Sequence, residues 1–250
     1  MRIVVVGGTG LVGAKLVARL VAGGHDAVAA SPSTGVDTIT GAGLAEAIAG
    51  ADAVVDVSNP PVRERALEFF TRSTRNQLAA ERTARVRHHV VLSIVGAEHV
   101  PGNVHLAAKV AQEAWAEVGG VPWTILRATQ FFELLSAIVE SGAAGDAVRV
   151  PTAAIQPVAA ADVAATLAEL ASGAPRGRVE LGGPETLGID AWARRLFAAT
   201  GDKRTVVRDP DAGYFGGQLI GDAMTTGPGA RIAPTDFDAW FAGRAICRPR

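Results

Sequence analysis

The stretch IVVVGGTGLVGAKLVARL (3–20) decides the fold. Ile3 to Val6, apolar and mostly β-branched, read as a strand buried on both faces. The turn Gly7-Gly8-Thr9-Gly10-Leu11-Val12-Gly13 follows at once. From Leu11 a helical period takes over to residue 22. Leu16, Val17, Leu20 and Val21 lie on one side, Lys15 and Arg19 on another, and Gly23-Gly24 ends the helix. Gly7, Gly10 and Gly13 are spaced three apart between a strand and a helix. Glycine permits the tight turn and a close approach of backbone to phosphate. The helix N-terminus adds free N–H groups and positive potential. In this context the pattern is a dinucleotide-binding loop, with Thr9, Leu11 and Val12 as further contacts.

Outward from the loop, short β-branched runs alternate with longer Ala/Leu-rich periodic ones. DAVAAS (26–31) predicts a second strand, VDTIT (36–40) a brief third and ADAVVDVS (51–58) a fourth, with a short helix at 44–50. Pro60-Pro61 opens a long helix to about Arg87, HVVLSIV (89–95) is a fifth strand, 104–118 a helix and WTILRAT (123–129) a sixth strand. The alternation predicts an α/β fold, a Rossmann-type doubly wound parallel sheet. Beyond residue 143 Gly and Pro become frequent, and helices read at 160–172 and 189–200. The expected organisation is a dinucleotide-binding core over 1–150 and a smaller C-terminal substrate-binding lobe over 151–250, integrated with the core.

With 250 residues, 48% hydrophobic and 20% charged, the chain can bury a large core without staples. A net charge of −1 gives no field for nucleic acid or an anionic membrane. No run of 18 apolar residues suggests a membrane span, and the lone Cys247 excludes an intrachain disulfide. The expectation is a cytoplasmic monomer or homodimer that binds a small molecule. His88, His89, His99 and His105 lack a supporting carboxylate or thiol cluster, so no metal site is expected. The seven arginines between 63 and 87 read as a solvated face, and Phe69 and Phe70 as core. An acid at the end of the second strand would favour NAD; that place reads Ser31-Pro32-Ser33-Thr34. Ser31, Ser33 and Thr34 can hydrogen-bond a 2′-phosphate, which favours NADP(H) over NAD(H), although the same residues also suit a plain turn.

Four stretches together, GGTGLVG, VVLSIVGAEHVPG, AAKVAQEAWAEVGGVPWTILRATQFFE and IQPVAAADVA, resemble the atypical short-chain dehydrogenase/reductases, and among them the NmrA-like NAD(P)-binding group. The resemblance covers roughly residues 1–200. It implies a Ser after the core of the fifth strand, matched by Ser93, and a Tyr and Lys four apart on the next helix. Lys109 matches the Lys, which in the family holds the nicotinamide ribose and lowers the Tyr pKa. The Tyr position holds His105, and the chain's single tyrosine is Tyr214, in GYFGG. By position the resemblance also places Val57, Ser58 and Asn59 near the adenosine ribose and pyrophosphate, and Ala128 and Thr129 near the nicotinamide. Asp162 is expected to cap a helix of the small lobe, and GYFGG suits a lid from which Tyr214 reaches the site.

The expected activity is NAD(P)-dependent oxidoreduction of a small carbonyl, enone or quinone-like molecule. Ser93 and Lys109 would position it, and His105, Tyr214 or water would move the proton. Two other functions stand beside it: a nucleotide-binding sensor without chemistry, and a redox-neutral isomerase or cyclase on the same fold.

Overall fold

The computed structural model describes residues 1–246, with side chains through Arg244; Cys247 and the CRPR ending lie outside the described residues. In chain order the elements are β1 (Arg2–Val6), α1 (Leu11–Ala22), β2 (Asp26–Ala30), α2 (Leu44–Ile48), β3 (Ala53–Asp56), α3 (Ala66–Ala84), β4 (His88–Ile94), α4 (Val104–Val118) and β5 (Trp123–Ala128). Then come α5 (Leu135–Glu140), β6 (Ala143–Ala144), β7 (Ala147–Val150), β8 (Ala153–Ile155), α6 (Ala160–Ser172), β9 (Gly177–Gly182) and β10 (Leu187–Gly188). The chain closes with α7 (Ile189–Thr200), β11 (Thr205–Arg208), β12 (Gly221–Met224), β13 (Arg231–Ile232) and α8 (Phe237–Ile246).

A seven-stranded parallel sheet runs in the order β13-β9-β5-β4-β3-β1-β2. The chain winds outward from β1 to β2, then returns to the other side of β1 for β3. The strand order therefore reverses between β1 and β3, which makes this the topological switch point where open α/β sheets bind ligands. Ile3, Val4 and Val5 are fully buried, as are Val54 and Val55 beside them. Each such side chain contributes about 1.5–3 kcal/mol by leaving water. VDTIT forms no strand. Asp37 turns the chain instead, its Oδ1 accepting the N–H groups of Ile39 (2.8 Å) and Thr40 (3.3 Å), while Asn76 Nδ2 donates to the carbonyls of Thr38 and Ile39. β-branched composition alone was a misleading strand signal there, because a local side chain supplied the competing turn. β9 enters the sheet although no strand is read at RVELG in the sequence; Gly and Pro on either side mask it.

The chain forms two compact units. One comprises residues 1–93, 104–127 and 163–179; the other 94–103, 128–162 and 180–250. The second contains two three-stranded sheets, β10-β8-β12 and β11-β7-β6. Its core is aromatic: Phe132 packs on Trp192, Phe237 and Trp240 with ring centroids 5.3–6.0 Å apart, and Trp192 donates its indole N–H to the Ile155 carbonyl. Asp162 does not cap α6. The helix begins two residues earlier, Glu133 accepts the N–H of Ala160, and Asp162 accepts that of Thr235.

In the first unit α3 buries an unusually polar face: Ser73, Thr74, Gln77 and Glu81 are fully buried. His88 and His89 point to opposite sides of β4. His88 Nε2 pairs with Thr124 Oγ1 and His89 Nδ1 with Glu81 Oε1, each at 2.8 Å. Burial alone would lower the pKa of His89, but the charge and hydrogen bond of Glu81 outweigh it and raise it above 6.5. The raised pKa fixes the sign. The pair's contribution is fully present below about pH 6.5 and is lost as pH rises through the folded value. Glu81→Ala, which strands a buried imidazolium, should cost about 3 kcal/mol at pH 6. The cost should shrink by pH 9, read by urea denaturation at both pH values; an equal loss at the two would remove the charge from the account.

Candidate cofactor and proton-transfer site

The loop after β1 is built by close packing. A Cβ on Gly7 would lie 2.8 Å from the Ser58 backbone, one on Gly8 2.7 Å from Ala29 Cα and the Val5 carbonyl, and one on Gly13 2.1 Å from the Gly7 carbonyl. Gly7 also needs its positive φ of 79°. Gly8, outside the three-residue spacing, is thus as constrained as Gly7 and Gly13. Gly10 is different, since its nearest neighbour would be the Gly7 carbonyl at 3.3 Å. Its bare Cα lies on the open side of the loop, at the N-cap of α1, where it brings no side chain to the first-turn N–H groups. Thr9 and Gly10 are exposed, Val12 is buried, and Leu11 is left 47% exposed beside them. A cradle of this kind fits a pyrophosphate.

The end of β2 reinforces the loop. Ser31 Oγ accepts the N–H of Thr9 at 3.3 Å, Ser31 donates its own N–H to Thr34 Oγ1 at 2.9 Å, and Ser33 Oγ donates to Thr9 Oγ1 at 3.3 Å. Ser31 is buried in this arrangement, while Ser33 and Thr34 are exposed. Across the switch point, Val57 donates its N–H to the Val6 carbonyl, Ser58 is half-buried against Gly7, and Asn59 is exposed. The structure therefore brings together Gly7, Thr9, Gly10, Leu11, Ser31, Ser33, Val57 and Ser58.

His105 and Lys109 lie one turn apart near the start of α4. Lys109 is buried, its Nζ donating to the Leu92 carbonyl (2.6 Å) and to Gln112 Oε1, and lying 4.5 Å from the centroid of Phe70. Burial outweighs the attraction of Asp56 and Glu113 and lowers its pKa to about 8. His105 packs edge-on to Phe70, ring centroids 5.7 Å apart. Burial first, then the charges of Lys109 and Arg63, lower its pKa to about 4. At neutral pH the imidazole is uncharged, and Lys109 is the group with a proton to exchange.

Ser93 turns elsewhere. Its hydroxyl donates to Glu113 at 2.5 Å, and Glu113 is gripped by Arg127 through Nε (2.9 Å) and Nη2 (2.7 Å). Three residues that sequence reasoning did not assign, Asp56, Gln112 and Glu113, hold these groups. The one visible sign was an Asp inside the apolar run AVVDVS. In the second unit, Ala128 and Thr129 are buried, with Thr129 donating its N–H to Leu181 and its hydroxyl to the Gln156 carbonyl. Tyr214 is 5% exposed. It pairs with Gly217 in both directions around a tight turn in which Phe215 (φ 48°) and Gly216 (φ 83°) are left-handed, and Asn103 Nδ2 donates to its carbonyl. GYFGG is thus a closed, pinned turn. Among the described residues no group of three metal-ligating side chains forms, and no helix is long and apolar enough to cross a membrane.

Sheet order and glycine loop together define a Rossmann fold. Solved structures similar to this chain include MoeE5 in complex with UDP-glucose and NAD (17% identity, TM-score 0.72, covering 98% of this chain and 100% of that one). The UDP-glucose 4-epimerase of Thermus thermophilus with NAD is similar at 17% identity and TM-score 0.66, over 97% and 93% of the two chains. The NADPH-dependent quinone oxidoreductase QOR2 of Escherichia coli is similar at 22% identity and TM-score 0.64, over 83% and 77%. At these identities the likeness shows the fold. No protein-family model matches the sequence, and no curated protein matches it.

The packing separates two glycines of one motif. Gly13→Ala should destabilise the fold by about 1–3 kcal/mol, since backbone must move to admit the methyl group. Gly10→Ala should leave the melting temperature within about two degrees, because its one close neighbour, the Gly7 carbonyl 3.3 Å away, has to give by only a few tenths of an ångström. Thermal denaturation of the two variants checks this, and equal losses would refute the asymmetry.

Proposed function

We propose that this protein is an NAD(P)-dependent oxidoreductase, with NADP(H) the favoured cofactor, acting on a small apolar or aromatic carbonyl, enone or quinone-like molecule. The observation that carries the reading is the cradle at the switch point, where Gly7, Gly8 and Gly13 close the loop and Gly10 leaves its outer side bare. The similar structures include complexes with NAD and with NADPH, which supports a nicotinamide cofactor. The N–H groups at the start of α1 receive the pyrophosphate, Val57, Ser58 and Asn59 flank the ribose, and Lys109 holds the nicotinamide ribose. The exposed Ser33 and Thr9, beside a Thr34 whose hydroxyl is paired with the Ser31 N–H and the Ala29 carbonyl, and with no carboxylate at the end of β2, favour a 2′-phosphate.

The cofactor supplies or accepts a hydride when bound. The chain's own part is the proton. An imidazole with a pKa of about 4 carries no imidazolium proton at pH 7, so His105 donates an N–H hydrogen bond to the substrate oxygen rather than acting as a strong acid. Lys109, at about 8, is the proton reservoir, one helical turn away. Reduction should accordingly slow as pH rises through about 8 and show no inflection at the ordinary histidine value of 6.5. Tyr214 or water is the alternative proton source.

A second reading, a nucleotide-binding sensor without turnover, draws support from Ser93: its hydroxyl is committed to Glu113. Fluorescence titration with NADPH and NADH tests both readings. Saturable binding is expected, weakened at least tenfold in Lys109→Ala; no saturable binding of NADPH or of NADH would sink both readings. His105→Phe should then lower kcat by about a hundredfold with cofactor Kd within about threefold. Retained turnover in that variant would transfer the proton to Tyr214 or water, and absence of wild-type turnover with any carbonyl or quinone tested would favour the sensor.

A further inference from the structure

Asp56 closes β3 as a carboxylate only 1% exposed, and four neutral donors fill it. Oδ1 accepts the Ser58 N–H (2.9 Å) and the Ser58 hydroxyl (2.6 Å); Oδ2 accepts Gln77 Nε2 and Gln112 Nε2, both at 2.9 Å. The amide of Gln112, fully buried, faces two ways. Its nitrogen is spent on Asp56, so its oxygen is left to accept from Lys109 Nζ. The carboxylate thus fixes which end of the amide meets the ammonium. A reversed amide would set two donors against each other at Lys109 and two acceptors against each other at Asp56.

We propose that Asp56 and Gln112 are positioning residues for Lys109: the carboxylate orients the amide, the amide holds the ammonium, and the same carboxylate anchors Ser58 beside the glycine loop. One polar chain then runs from the loop, through Ser58, Asp56 and Gln112, to Lys109. It keeps Lys109 aimed and charged at neutral pH despite its burial. The proposal rests on the reading of Lys109 as the residue that meets the cofactor and supplies the proton.

Other charges that bear on Lys109 are accounted for. Glu113 and His105 lie on its own helix, and Arg63 acts on His105 from ahead of α3. From α3 the residue against Lys109 is the uncharged Phe70, and from β4 it is the Leu92 carbonyl. Glu113 is already held by Arg127, Arg178 and Ser93, which leaves Asp56 as the carboxylate linked to the ammonium through a hydrogen-bonded bridge.

The test needs no cofactor. The chain has three lysines, Lys15, Lys109 and Lys203. In intact protein with 13C,15N-labelled lysine, the Cε and Nζ resonances report each titration, and Lys109→Met assigns the third. The wild-type Lys109 midpoint is expected near 8. Asp56→Asn and Gln112→Met should each move it down by roughly one unit, a tenfold gain in neutral amine at a given pH. Asp56→Asn combined with Gln112→Glu, which carries the negative charge one link closer, should bring the midpoint back up. That rescue is one that loss of packing would not produce. Midpoints in folded Asp56→Asn and Gln112→Met within about 0.3 unit of wild type would overturn the proposal; if Asp56→Asn does not fold, Gln112→Met decides it alone. A shifted midpoint in protein that fails to bind NADPH or NADH would overturn the reading of the site and leave the coupling of Asp56 to Lys109 standing.

Discussion

A carboxylate buried in an otherwise apolar strand sets the terms for the first unit. Asp56 could not sit at the end of β3 without partners, since an isolated buried carboxylate costs many kcal/mol. None of its hydrogen bonds comes from a cation. Ser58, Gln77 and Gln112 supply them instead, and each comes from a different place: the loop after β3, α3 and α4. Satisfying one side chain therefore fixes the register of two helices and a loop against the sheet. It also explains why α3 buries Ser73 and Gln77, residues that would ordinarily face water; Glu81 on the same face is buried against His89. Ser73 hands the network on, donating to Thr38 and accepting from Gln77, so the turn that replaces the expected third strand is tied to the same carboxylate.

Much of the fold was legible in the sequence because it is built by apolar periodicity. β1, α1, β4, α4 and β5 lie where strand and helix patterns place them, within a residue or two. What was not legible depends on long-range polar satisfaction. VDTIT looks like a strand by composition, yet Asp37 turns it through hydrogen bonds over two or three residues, and Asn76, far along the chain, holds the turn. STRNQLAAE (73–81) looks like a solvated helix face because polar residues at helical spacing usually are one. Only the position of Asp56 and His89 opposite shows that half of it is interior. The same holds at the candidate site. The spacing of Gly7, Gly10 and Gly13 was readable, whereas the need for glycine at position 8 comes from Ala29, twenty-one residues on, and no local pattern records it.

A histidine one helical turn from Lys109 sets where a proton can reside. A phenol at that place would need its high pKa lowered to be useful near neutrality, and a neighbouring ammonium does that. An imidazole starts near 6.5, and the same ammonium, with Arg63 and burial, drives it down to about 4. The environment that would activate a tyrosine thus empties a histidine of its extra proton. On the proposed function, chemistry at this site then depends on keeping Lys109 protonated. That is a harder task, because burial works against the ammonium as it works against the imidazolium. In the proposed arrangement, a negative charge tied to the amine through an amide of fixed orientation makes a buried lysine a usable donor without neutralising it in a direct ion pair. The polar interior of α3 and α4 and the histidine at position 105 are, on this reading, one feature. On the proposed reading the histidine surrenders the proton, the lysine retains it, and the carboxylate at the end of β3 lets the lysine do so.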